Sequence, residues 1–171
     1  MKYIYFPFLF GSALIFQSVV VPVLMPGWFV DGFDLPLIIV LHVAMTRGKS
    51  SGMMTGLVIG YLQDAMSGGV LGFNGFSKII AGYMGGYLQE KFFVGSMVHR
   101  TASVAGAVLV ALLAKIAVLA LFAQPRPSPL SIQLFWGFAG NTLFALLIHG
   151  LLNRFEGVFG IRAEEELSLG D

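Results

Sequence analysis

An all-α, polytopic membrane protein, a six-helix transmembrane bundle, is the fold class this sequence predicts, and three observations predict it. The 171 residues are 57% hydrophobic but only 11% charged, whereas a soluble domain carries about 25% charged residues to keep its surface wet. Six apolar stretches, each near the ~20 residues that cross a bilayer as a helix, take up most of the chain. The basic residues gather in alternate connections. A single integral membrane domain over residues 1–171 is expected, with no length left for a soluble one.

The first span, 3–23, is the clearest. Its apolar run exceeds the roughly 7–15 residues of a signal-peptide core, and Val-Pro-Val-Leu-Met-Pro follows in place of a cleavage site, so it reads as an uncleaved anchor. The second, 29–45, is the weakest, with Asp31 and Asp34 at its start and Pro36 interrupting it. The third and fourth are placed at 51–66 and 71–89, and the fifth at 101–123, where Gly106 is the one helix breaker. The sixth is placed at 130–152. Between the last two, Gln-Pro-Arg-Pro-Ser-Pro at 124–129 is a turn, because proline removes a donor and ends helices.

Orientation follows the basic residues. With the N-terminus inside, the cytoplasmic segments hold Lys2, Arg47, Lys49, Lys91, Arg100, Arg154 and Arg162, while the outer segments hold Arg126 alone. Lys78 and Lys115 fall within spans. Both termini are therefore expected inside, with an even number of spans. The acidic run Glu164-Glu165-Glu166 carries little weight in this rule and reads as a solvated tail.

Several functions are excluded. The absence of cysteine leaves no disulfide, thiolate metal site or cysteine nucleophile. A formal charge of +1 argues against nucleic acid. The three histidines show no metal-ligand spacing, and no His-Glu-x-x-His occurs. Gly48-Lys49-Ser50 lacks the upstream glycine of a phosphate loop, since position 43 is Val43. No catalytic residue, metal or cofactor is expected.

The third span and its turn into the fourth are the most informative. Gly52, Gly56, Gly60, Asp64, Gly68 and Gly72 recur every four residues. On a helix such positions share one face, and a small-residue stripe lets helices meet backbone to backbone. Gly82 and Gly86, with Gly85 beside them, give the fourth span a matching surface. A tight hairpin through Ser67-Gly68-Gly69 is predicted, with the ladder available for helix packing or as a groove for a partner.

A polar layer is expected near the outer surface. At 1.5 Å per residue, Lys78 lies roughly 10 Å and Lys115 roughly 12 Å below it. Gln17, Asp64, Lys78, Lys115 and Asn141, from five different spans, are predicted to form a buried network, with Asp64 the counter-ion of Lys78. Ionisable groups at such depth are costly. Two readings of the lysines stay open: each snorkels its ammonium to the interface, or they face a small outward pocket or an acidic group of a partner. His42 reads as a packed, hydrogen-bonded residue.

The stretch Gly56-x-x-x-Gly60-x-x-Gln63-Asp64-x-x-x-Gly68-x-x-x-Gly72 resembles the central motif of the bacterial rod shape-determining MreD family. Val70-Leu71-Gly72, Lys78, Ile80-Ala-Gly-Tyr83-x-x-Gly86 and Gln17-Ser18 match further segments, and 51–86 is the most specific region. Asp34-Leu35-Pro36-Leu37 departs from the Pro-Asp opening usual in the family's second span. The resemblance implies a non-enzymatic scaffold subunit of the cell-elongation, peptidoglycan-synthesising machinery. It implies work beside MreC, whose membrane anchor would be bound, and beside MreB, RodA and a class B penicillin-binding transpeptidase. It also implies a fold resembling the energy-coupling-factor S-component. That likeness supports the rival reading, a small-molecule-binding subunit of a vitamin-type transporter, with Gln17, Asp64, Lys78 and Asn141 in a pocket walled by Phe73, Phe76, Tyr83 and Trp136.

Overall fold

The computed structural model describes residues 2–27, 32–67, 71–91, 97–122 and 134–158. Gly68, the proline turn at 124–129 and the acidic run at 164–166 lie outside them. Among the described residues every regular element is helical. Helix α1 (2–24) joins Lys2–Ile15, a wide π-helical turn Phe16–Val20, and Val21–Leu24. Then come α2 Leu35–Arg47, α3 Lys49–Ser67, α4 Phe73–Lys91 and α5 Met97–Leu121. Helix α6 (134–158) contains a second π-helical turn, Trp136–Gly140, continued by Asn141–Val158.

The element that reads weakest in the sequence is the centre of the molecule. Every residue of α2 from Pro36 to Ala44 is buried. A helix apolar all round is one covered all round. Leu37, Ile38 and Leu41 pack with Ala81 of α4, Val104, Ala107, Val108 and Ala111 of α5, and Ala145 of α6. Ile39 and Val40 pack the other way, on Ala13 and Leu14 of α1 and Ile59 of α3. At thirteen residues α2 is about 20 Å long, short of the ~30 Å hydrocarbon thickness. Asp34 and Pro36 set its start, as capping residue and first-turn proline.

The distribution of side chains is inverted relative to a water-soluble bundle. Along α3 the buried positions are Gly52, Gly56, Ile59, Gly60 and Asp64, while Met53, Met54, Leu57, Val58, Tyr61, Leu62 and Met66 are exposed. Small and polar groups face inward and large apolar ones outward, the arrangement that suits lipid as solvent. By length and composition one described helix, His99–Leu121, is apolar enough to cross a membrane, and Phe8–Leu24, Leu35–Arg47 and Trp136–Leu152 are shorter apolar helices. Helices α3 and α4 fall below that mark because their glycines, serines, amides and charged groups, some facing inward and some at the helix ends, dilute the apolar positions.

Between α3 and α4 the glycines bring the two backbones into contact. A methyl group added at Gly56 would fall on the Lys78 carbonyl, and one at Gly82 on the Gly52 carbonyl. At Gly60 it would meet the backbone of Gly75, and at Gly86 it would stand 2.5 Å from the Cα of Lys49. Gly72 plays a different part: its φ of +94° places it in the left-handed region that the turn into α4 needs, with open space around it.

Candidate functional site

Four helices meet around residues 33–35, with Asp34 at the centre. Its Oδ1 accepts the N–H of Leu37 at 3.1 Å and caps α2, whose Pro36 has no N–H to be satisfied. Its Oδ2 takes the ammonium of Lys78 at 2.6 Å. Lys78 is fully buried, so lipid or water reaches neither its stem nor its charge. An isolated ammonium in such a place would be prohibitively costly, and the pair is what allows it.

The counter-ion of Lys78 is thus Asp34, and not Asp64 as the sequence suggested. Asp64 instead closes the α3–α4 hairpin. Its Oδ2 accepts the N–H groups of Gly72 at 2.9 Å and Gly75 at 3.3 Å. Its Oδ1 accepts the backbone N–H of Asn74 at 3.0 Å and the Asn74 side-chain amide at 2.9 Å. The first N–H groups of α4 lack helical partners, and a carboxylate at the end of the preceding helix supplies them with a favourable negative charge. The ladder position that carries an acid rather than a glycine is the one facing those donors.

The backbone before α2 is not helical at Phe33 and Asp34, and its polar groups need partners. Two amide side chains provide them. Gln17 donates from Nε2 to the Phe33 carbonyl at 2.9 Å and accepts the N–H of Leu35 at 3.0 Å. Asn141 accepts the N–H of Asp34 at 2.9 Å, and its Nδ2 donates to the carbonyls of Gly32 at 2.8 Å and Gly137 at 2.7 Å. Each amide lies in or just after a π-helical turn. In α1 the turn leads into Pro22, whose ring cannot follow a tight α-helical path, and the Val21 N–H reaches five residues back to Phe16. In α6 Gly137 and Gly140 fall within the turn, and Gly137 lets the chain at Gly32 come close.

Of the five residues grouped by the sequence, Gln17, Lys78 and Asn141 converge on residues 32–35. Asp64 lies one helix end away, and the ammonium of Lys115 stands 5.9 Å from the centre of the Phe73 ring, beside the same turn. In the sequence Asp34 reads only as an acid that weakens the start of the second span, with no hint of its cap or its ion pair. His149 was missed altogether. It meets His42 at 2.9 Å between Nδ1 atoms, one ring donating to the other, and ties α2 to α6 within the apolar core.

The ladder face, expected either to pack a helix or to receive a partner, is filled by α4, as the glycine contacts show. An open surface lies elsewhere. Among the described residues, α1 and α6 each pack on α2 but not closely on each other. Between them is a cavity of about 280 Å³ lined by Leu9, Ser12, Ala13, Phe16, Leu35, Ile39 and Ile148. A second, of about 240 Å³, is lined by Phe33, Trp136, Ala139, Gly140, Phe144 and neighbours. Gly140, Phe144 and Ile148 follow one another at successive turns of α6, so the two cavities border the same face of that helix. Leu35 lines the first and Phe33 the second, the two residues whose backbone Gln17 holds. Added methyl groups at Gly11 and Gly140 would meet nothing within 4 Å.

A family model described as rod shape-determining protein MreD matches residues 1–155. No curated protein and no solved structure matches the chain.

Proposed function

The chain belongs to the rod shape-determining MreD family, and on that premise we propose that it is a non-enzymatic, six-pass scaffold of the bacterial inner membrane. In this reading both termini are cytoplasmic, and the protein receives the membrane anchor of MreC along the two cavities, which together form a lateral trough on α6 that opens between α1 and α6. MreB, RodA and a class B penicillin-binding transpeptidase are reached through that partner.

The observation that carries the reading is the closure of the polar clamp on itself. Gln17, Asn141, Lys78 and Asp34 bond to one another's elements and hold the trough wall rigid from behind. A preformed wall reduces the ordering cost of seating a helix. The floor offers Ser12, Ala13, Ala139 and Gly140, small residues that permit close helix approach in lipid. The transporter reading, with its S-component fold, needs a polar cavity, whereas both cavities described above have apolar linings.

The test is capture from native membranes. The sequence contains no cysteine, so single cysteines report cleanly. A cross-linker at Ser12 or Ala139 is expected to trap a single-span partner, whereas one at Leu57 on the exposed face of α3 is not. Equal trapping at all three positions would remove the trough from the account. A reproducible stabilising hit in a thermal screen of vitamins would favour the transporter. Labelling single cysteines at both ends from the cytoplasmic side tests the topology.

A further inference from the structure

One stripe of α4 changes character along its length. Phe76 and Tyr83 are exposed on it, Tyr87 is partly exposed and Lys91 is exposed at its end. The spacings of seven, four and four residues keep them on one side of the helix. The rings of Tyr83 and Tyr87 stack 5.9 Å apart at 12°, and the Lys91 ammonium lies 5.2 Å from the centre of the Tyr87 ring. Across the glycine seam Lys49, the first residue of α3, pairs with Glu90 at 2.8 Å. The hydrogen bond from Lys49 to Glu90 raises that ammonium above the usual lysine value, and Tyr87 does the same for Lys91. Both remain charged at neutral pH.

The stripe runs from apolar through amphipathic to cationic over about 22 Å. That is close to one bilayer leaflet with its headgroups, half of about 40–45 Å. Tyrosine belongs at the boundary, its ring in the acyl region and its hydroxyl among the headgroups. We propose that this stripe is a binding site for an anionic phospholipid. The phosphate sits between Lys49 and Lys91, and an acyl chain lies along Tyr87, Tyr83 and Phe76. Two ammonium groups against the one carboxylate of Glu90 leave a single positive charge, which complements a phosphodiester carrying one negative charge. Glu90 disfavours the more highly charged inorganic phosphate. The glycine seam holds the start of α3 against the end of α4, since Gly86 rests on the backbone of Lys49. The site is independent of the scaffold reading and stands or falls separately.

The experiment is thermal unfolding of the full chain in a neutral detergent, with native mass spectrometry as a second readout. Phosphatidylglycerol is expected to raise the midpoint by several degrees and to remain bound in the spectrometer. Phosphatidylcholine and inorganic phosphate are expected to do neither. The pair Lys49→Gln and Lys91→Gln removes most of the shift, while Arg154→Gln, at an exposed position on α6, keeps it. Tyr87→Leu, which preserves apolar bulk but releases Lys91, lowers it and serves if the double variant unfolds. Equal shifts with phosphatidylcholine, or an undiminished shift in both the lysine pair and Tyr87→Leu, overturn the site. Reproduction by inorganic phosphate alone overturns the lipid as its ligand.

Discussion

The α3–α4 seam and the α1–α6 flank both carry small side chains, yet one is closed and the other open. In the seam the space of a missing Cβ is taken by the opposing backbone, as Gly56 shows against the Lys78 carbonyl. On the flank the same absence leaves room, as at Gly140. The contrast teaches that small residues in a membrane bundle mark close approach only where a second helix is already committed to them. Lipid solvates a bare stretch of helix well enough to leave it waiting.

The seam offers the largest effects. Gly56→Leu drives a side chain into main-chain atoms that cannot step aside. It is expected to prevent accumulation of folded protein, or to cost well over about 3 kcal/mol where the protein survives purification. Membrane-fraction yield and the thermal midpoint check this. An unfolding midpoint equal to the parent's would break the distinction between seam and flank.

Next is the ion pair that joins the two regions. Lys78→Met leaves the carboxylate of Asp34 buried and without its cation, which is expected to cost about 3–5 kcal/mol. Adding Asp34→Asn, which keeps an acceptor for the Leu37 N–H, is expected to recover part of that loss. No recovery in the double variant would mean that Lys78 acts through some other group. Lys115→Met, by contrast, removes a ring contact rather than an ion pair and is expected to cost under about 1 kcal/mol.

The clamp sharpens the comparison further. Asn141→Ala removes the bonds to Gly32 and Asp34, at about 1–2 kcal/mol of stability. Its expected signature is a loss of cross-linking from the trough that exceeds the loss of folded protein. Proportional losses would reduce Asn141 to a packing role. The smallest effect belongs to the open glycines. Gly11→Ala and Gly140→Ala meet no atoms, and alanine is favoured over glycine in a helix by about 1 kcal/mol. Both are expected to leave the midpoint unchanged or slightly raised, while a bulkier Gly140→Leu blocks partner capture.

Much of this was legible in the chain. The four-residue glycine period implies a face, and a face of glycines on consecutive segments implies a hairpin. The composition alone identifies lipid as the solvent. The ion pair was misread because sequence distance favoured Asp64, fourteen positions from Lys78, over Asp34, forty-four away. Local spacing has no means of showing that Asp64 is consumed by the N–H groups of α4. The π-helical turns behind Gln17 and Asn141 were likewise invisible, since a widened turn changes which way a side chain points without changing the residues that flank it.

Composition and periodicity, then, determined what the solvent is, that the regular structure is helical, and which helix faces are smooth, because each depends on residues a few positions apart. Tertiary packing decided which carboxylate neutralises Lys78, that the weakest apolar stretch becomes the central helix, and which small-residue face stays open. Those outcomes depend on which distant groups compete for the same buried donor or the same space, and that competition is settled only when all the helices are in place.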